Sequence, residues 1–305
     1  MQEYYIASRG GGELLCRKWL PETEPLGVVQ LVHGIAEHTG RYDDFARYLA
    51  SRGYVVVAED HMGHGGSIND VTPQGCFAGG WSAAVQDLHG LYELTRLDYP
   101  ALPYFLFGHS MGSFLARSFL IDYPEADLAG CILSGTAWQP AAMLSAGKAV
   151  CRLEIKRRGA QGISDTVYGM AFGSYNKDFE PVRTPCDWLS RDEERVDDYV
   201  ADPLCGFIPS VGLLGDMMDG LSYNQKAGNL AKMNKTLPIY FMSGDKDPVG
   251  AQGKGVTQSV EAFRKAGMQD VEVRLYPGGR HEMLNELNRE AVYAAVLAWL
   301  ESKRN

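Results

Sequence analysis

Read as alternating apolar and polar stretches, the chain falls into three parts. Two short strand-forming segments, Glu3–Ser8 and Leu14–Leu20, come first and are joined by Gly10-Gly11-Gly12. A strand follows these glycines, so they predict a hairpin turn; a phosphate cradle would need a helix N-terminus behind the loop. From Gly27 onward, short apolar runs alternate with amphipathic ones. Gly27–His33, Tyr54–Asp60, Tyr104–Phe107 and Leu128–Ser134 read as buried strands. Between them lie helices over Asp44–Arg52, with Phe45, Tyr48 and Leu49 on one face, and Ala83–Asp98, with Leu88, Leu91, Tyr92 and Leu94 facing inward. A third helix, Met111–Tyr123, is closed by Pro124.

The rhythm breaks between Thr136 and Lys235, where helix-like pieces appear without a strong buried strand. It resumes with a strand at Pro238–Ser243, a helix at Thr257–Ala266, a strand at Val271–Tyr276 and a last helix with Val292, Val296 and Trp299 on one face. Continuous apolar strands separated by helices predict an α/β protein with a mostly parallel central sheet covered on both faces. On this reading residues 1–135 and 236–305 form the core, and 136–235 a largely helical cap inserted between two strands.

Charge narrows the function classes. A net charge of -9 argues against a nucleic-acid partner, which needs clustered Lys and Arg. It also opposes electrostatic attachment to anionic lipid but leaves transient hydrophobic docking of the cap on a membrane surface open. The N-terminal residues lack the pattern of a signal peptide, no apolar run has membrane-spanning length, and the six cysteines form no CxxC pair. These features predict a soluble protein of a reducing cytoplasm, with Cys16 and Cys131 as buried thiols. They leave its oligomeric state open.

The chemistry centres on Gly108-His109-Ser110-Met111-Gly112, a G-x-S-x-G stretch entered by an apolar strand and left by a helix. That context is what a nucleophile elbow requires: the glycines let the backbone turn sharply, and Ser110 rises at the carboxyl edge of the sheet. A serine needs a general base, and the base an orienting carboxylate. Among seven histidines, His281 is placed for the role, in a loop after the last strand. The acid is expected after the preceding strand, at Gly244-Asp245-Lys246-Asp247-Pro248. Asp247 is favoured over Asp245, which is nearer the strand end and suited to binding its own turn. The oxyanion donors expected are the amide of Met111 and, from the loop His33-Gly34-Ile35-Ala36-Glu37-His38, the amide of Ile35. Gly34 and His109 beside them, with Met143, Met217 and Met218 from the cap, are the candidate substrate contacts. His33 and His38 lack a clear third ligand, so no metal is expected, and the reaction needs no cofactor.

With those residues placed, the sequence resembles the monoacylglycerol lipase and lysophospholipase branch of the α/β-hydrolases, often grouped with serine aminopeptidases. The resemblance rests on His33–His38 with Gly40-Arg41-Tyr42, on Asp60-His61-Met62-Gly63-His64-Gly65-Gly66-Ser67, on the elbow, on Gly244–Asp247 and on Arg280-His281-Glu282. It implies the α/β-hydrolase fold, nucleophile Ser110, acid Asp247, base His281 and oxyanion amides of Ile35 and Met111. It also implies that Asp60, His61 and His64 brace the loop beside the elbow.

The expected activity is carboxylic ester hydrolysis through an acyl-serine, on a small-molecule ester or single-chain lipid such as a monoacylglycerol or lysophospholipid. Two alternatives stand beside it. An aminopeptidase would need buried cap carboxylates for the substrate amine, and Asp187, Asp192, Glu193 and Glu194 read instead as a solvated helix face. A catalytically silent binding module would have no need to keep nucleophile, acid, base and oxyanion loop together.

Overall fold

The computed structural model describes residues 1–304. Its eight strands are β1 (Gln2–Ala7), β2 (Glu13–Trp19), β3 (Gly27–Val32), β4 (Tyr54–Glu59), β5 (Tyr104–His109), β6 (Gly130–Ser134), β7 (Ile239–Gly244) and β8 (Val271–Tyr276). The helices of the first half are α1 (Asp43–Ala50), α2 (Gly80–Asp98) and α3 (Met111–Asp122). Between β6 and β7 come α4 (Ala141–Arg158), α5 (Asp165–Phe172), α6 (Glu193–Ala201), α7 (Val211–Asn224) and the short α8 (Ala227–Leu230). α9 (Lys254–Lys265) and α10 (Arg289–Lys303) complete the chain.

All strands join one sheet in the order β1-β2-β4-β3-β5-β6-β7-β8. The opening hairpin pairs Ile6 with Leu14 and Ala7 with Glu13, and β2 runs antiparallel to β4; the remaining pairs are parallel. β3 to β7 are buried at every position because helices cover both faces. Successive side chains alternate between those faces. Val28, Leu106 and Leu133 pack with α2, α3 and α9, whereas Val29, Phe105 and Phe107 pack with α1 and α10. One expectation fails on α2. Leu88, Leu91 and Tyr92 are buried, but Leu94 is 47% exposed. The inward row runs through Leu88, Leu91 and Thr95, and Thr95 fits there because its hydroxyl donates to the Leu91 carbonyl.

The stretch between β6 and β7 is helical, with no strand among its described residues, and α7 packs against both α4 and α3. Its acidic residues do not form one solvated face. Glu193 and Glu194 are exposed in the first turn of α6. Asp187 lies upstream in a turn, buried, and accepts from the amides of Arg183 and Thr184 and the Thr184 hydroxyl. Asp192 pairs with Arg289 at 2.7 Å. The turn amides satisfy Asp187 better than water would, which explains its burial. Among the described residues, no helix is long and apolar enough to cross a membrane.

Beneath the sheet edge, Glu59 carries a prediction. It ends β4 fully buried, neither carboxyl oxygen has a hydrogen-bond partner, and His61 Nδ1 is 3.6 Å away. Burial, with Asp60 adding repulsion, pushes its pKa up to about 8. The folded state therefore holds a proton that the unfolded chain releases above the ordinary carboxylate range. Stability contributed by that proton is lost as pH rises toward the folded pKa, by up to ~1.4 kcal/mol per pH unit. His33, His61 and His64, buried and shifted downward, act only in the acid direction, whereas His281, shifted upward, adds to the loss in wild type and variant alike. Between about pH 7 and pH 8.5 the wild type should thus lose roughly 1–2 kcal/mol more stability than Glu59→Gln, read from denaturant midpoints. Parallel curves for the two proteins would contradict this.

Candidate active site

The turn from β5 into α3 sets Ser110 at φ 53° and ψ −122°, a conformation that costs a non-glycine residue energy and that the surrounding contacts must hold. The Ser110 amide donates to the Ser134 carbonyl at 2.9 Å, and the Ser113 hydroxyl and amide both return to the Ser110 carbonyl. Gly112 permits the close approach of α3 to β3: a Cβ there would lie 2.1 Å from the Val32 carbonyl oxygen. The amide of Met111, first residue of α3, is left at the positive end of the helix, beside Ser110.

His281 arrives from the loop after β8 and is almost fully buried. Its Nδ1 lies 3.0 Å from Asp247 Oδ1, so Nδ1–H donates to the carboxylate and Nε2 is the basic nitrogen. Asp247, fully buried, also accepts from the Val249 amide on Oδ1 and from the Ser243 hydroxyl on Oδ2, each at 2.9 Å. Burial alone would raise the carboxyl and lower the imidazole. The Asp247–His281 attraction outweighs it, and the Asp247 pKa falls while the His281 pKa rises. Asp245 does something else: its Oδ1 accepts from the Gly278 amide at 2.8 Å and shapes the loop carrying the histidine.

Ser110 and His281 open into one pocket with Gly34, Ile35, His109 and Glu37 at its polar end. Phe114, Leu144, Met217, Met218, Leu221 and Val249 line the apolar remainder. Met143 and Met170 stand at its rim, 60% and 57% exposed. All five candidate substrate contacts thus border the same space. His109 turns toward His281, the ring centroids 4.7 Å apart.

The loop after β3 is fixed from beneath by histidines. His33 Nε2 accepts from the His61 amide at 2.9 Å, His61 Nε2 donates back to the His33 carbonyl, and the two rings lie 3.9 Å apart. Burial keeps His33, His61 and His64 neutral. Asp60 meanwhile accepts from the Thr39 and Gly66 amides and pairs with Arg17.

Several contributors escaped the sequence reading. Glu37 Oε1 accepts from the Gly34 amide at 2.6 Å, and Arg41 links Glu37 to Glu282 in a buried bridge, with 2.7 Å to the first and a bidentate 2.6 and 2.7 Å to the second. Arg41 thereby ties the loop after β3 to the residue beside His281. Gly135, at φ 58°, leaves room for the imidazole of His281, since a Cβ there would sit 2.8 Å from its Cε1. The β6–β7 stretch also grips the loops that carry His281 and Ala36. Leu189 accepts from the Glu282 amide, and the Trp188 ring lies 5.0 Å from that of His281. On the other side, the Ala36 carbonyl accepts from the Gly206 amide at 2.9 Å and the Tyr199 hydroxyl at 3.0 Å. The only sequence signal for Arg41 and Glu37 was their place in the motif around His33–Tyr42.

Residues 23–288 match the serine aminopeptidase S33 family. The chain belongs to this family. Among relatives of this S33 protein, a monoacylglycerol lipase of Mycolicibacterium smegmatis is 30% identical, over 98% of this chain and 97% of the relative. A monoglyceride lipase of Homo sapiens is 27% identical over 98% and 90%. Among solved structures, a highly thermostable carboxyl esterase from Bacillus coagulans, in complex with glycerol, superposes with a TM-score of 0.92 at 31% identity, covering 100% of this chain and 99% of that one. The S33 protein has the α/β-hydrolase fold and is a serine hydrolase.

Proposed function

We propose that this protein is a carboxylic ester hydrolase that cleaves single-chain lipid esters, monoacylglycerol or lysophospholipid, through an acyl-serine intermediate. The observation that carries this reading is the pocket itself. Ser110 and the Asp247-paired His281 line a cavity whose other walls include methionine, leucine and phenylalanine. Thioethers and aromatic rings suit the walls of an acyl pocket because they adapt to a flexible chain. The lipase and esterase names of the relatives support it further.

In this mechanism His281 Nε2 takes the Ser110 proton as Oγ attacks the ester carbonyl, and the amides of Ile35 and Met111 hold the oxyanion. The alcohol leaves with the proton from His281. Water deprotonated by the same nitrogen then releases the fatty acid, while Asp247 stays ionised. The stretch 136–235 acts as a cap: it walls the acyl site, and its exposed Met143 and Met170 offer an apolar rim to lipid. Gly34 and His109 contact the substrate near the carbonyl. The aminopeptidase alternative lacks support, because the carboxylates that face the site are already engaged. Glu37 holds Gly34, Tyr42 and Arg41, and Glu282 holds Arg41 and Asn285.

A chain-length series of monoacylglycerols and lysophosphatidylcholines, run against aminoacyl-naphthylamides, tests the proposal. We expect kcat/KM to rise from short to medium and long acyl chains by at least about tenfold, as each buried methylene adds ~0.8 kcal/mol until the pocket is filled. Cleavage of naphthylamides with inert esters would overturn it.

A further inference from the structure

One cluster beside the oxyanion loop carries chemistry that ester hydrolysis does not use. His38 closes that loop, and Asp202 and Cys205 lie on the turn that follows α6. His38 Nε2 and Asp202 Oδ2 are 2.8 Å apart although 164 residues separate them in sequence. The Cys205 sulfur joins them, and the three potential ligand atoms all lie within 4.8 Å of one another. Imidazole nitrogen, carboxylate oxygen and thiol sulfur together form a donor set for a zinc-class ion, with a fourth position open to water. Such an ion, with ligands at ~2.0–2.3 Å, spaces its donors roughly 3.3–3.8 Å apart. The His38–Asp202 edge, at 2.8 Å, therefore needs to open by roughly 0.5–1 Å. His38 and Asp202 border a solvent-open recess shared with Asp43, Asp44 and Asp198. The cations in that recess are already neutralised, Arg41 by Glu37 and Glu282 and Arg195 by Asp44, and Asp43 is paired with Arg47, so the charge left beside Asp202 is that of Asp198, which favours entry of a cation.

We propose that His38, Asp202 and Cys205 form a regulatory site for a zinc-class metal ion whose binding slows hydrolysis at Ser110. The first half stands on the cluster alone; the second rests on the proposed ester hydrolysis. The coupling follows from proton positions. His38 Nδ1 accepts from the Gly40 amide at 3.2 Å, so the ring proton sits on Nε2 and faces Asp202. An ion at Nε2 drives that proton to Nδ1, where it opposes the Gly40 N–H and removes the cap of the turn Thr39–Tyr42. This turn carries Arg41, the bridge between Glu37 and Glu282. The Cys205 thiol gives its own proton to solvent, so one proton leaves for each ion bound. Cys205 is also the neighbour of Gly206, whose amide holds the Ala36 carbonyl. Both ends of the cluster thus pull on the oxyanion loop. A sulfur donor in the set selects soft, thiolate-binding metals over magnesium or calcium.

The test titrates the full chain with Co²⁺ and Zn²⁺ beside Cys205→Ala and Asp202→Asn. We expect one Co²⁺ per chain with a near-ultraviolet thiolate-to-cobalt charge-transfer band. Cys205→Ala should lack the band, and Asp202→Asn should bind at least about tenfold more weakly, as loss of even an outer partner costs that much. Turnover of a short p-nitrophenyl ester should fall with Zn²⁺, return with EDTA, and in Cys205→Ala require at least about tenfold more Zn²⁺ for the same loss. Absence of the band in the wild type overturns the site and leaves the His38–Asp202 contact as a plain hydrogen-bonded staple. Equal inhibition of wild type and Cys205→Ala overturns the regulatory role and places the ion elsewhere, such as at His281. If no ester is cleaved at all, the band still decides the site, and only the hydrolase reading falls.

Discussion

Ser110→Ala should lower ester turnover by roughly 10⁵- to 10⁶-fold and leave the fold intact, since losing the nucleophile costs about as much as losing the whole catalytic set. The elbow is held by backbone contacts of Ser110 with Ser134 and by Ser113 folding back on the Ser110 carbonyl, none of which uses the Ser110 hydroxyl. Alanine meets the same positive φ as serine, so no new strain arises. The measurement pairs p-nitrophenyl ester kinetics with a thermal melt and with labelling by a fluorophosphonate. Activity within about 100-fold of wild type in a folded variant would remove Ser110 from the mechanism.

Asp247→Asn should be milder, for a reason specific to this site. In serine proteases the equivalent exchange costs ~10⁴ because the amide stabilises the wrong imidazole tautomer. Here Oδ1 accepts from both the Val249 amide and His281, whereas Oδ2 faces the Ser243 hydroxyl. An asparagine keeps the Val249 bond only with its oxygen in the Oδ1 place, and its amide then donates to Ser243. The tautomer survives and the negative charge is lost. We expect kcat to drop by roughly 10²- to 10³-fold, reflecting an imidazolium without its counter-ion. The pH profile gives a second readout. Burial pulls the His281 pKa down and Asp247 holds it up, so removing the charge lowers it. Because the neutral ring is the active form, the acid limb of kcat/KM should move to lower pH. A loss of ~10⁴ without that displacement would show that the amide had flipped.

The parts legible in the sequence are those that local chemistry determines. Strands β3 to β7 announce themselves as apolar runs because both faces are covered, and the elbow because a strand–serine–helix junction needs its glycines. The same local logic separates Asp247 from Asp245, which the structure turns to His281 and to the Gly278 amide respectively. What stays hidden depends on partners far away in the chain. Arg41 meets Glu282 across 241 residues, and no periodicity in either segment foretells the bridge. Asp187 reads as solvated because its neighbours are acidic, yet it is buried by amides of its own turn. Leu94 illustrates a further limit: an apolar residue one position off the inward row is indistinguishable in composition from one on it.

The grip of the β6–β7 stretch on the loops that carry His281 and Ala36 bears on how such enzymes can be re-engineered. Leu189 receives the amide next to His281, and Tyr199 with Gly206 holds the Ala36 carbonyl. A graft that exchanges this stretch for another esterase's therefore transplants part of the catalytic scaffold along with the specificity walls. Chimaeras that keep residues 186–206 as host sequence and vary only the helices on either side should preserve the chemistry while changing what fits. Wholesale exchange would trade away turnover before any new preference could be seen.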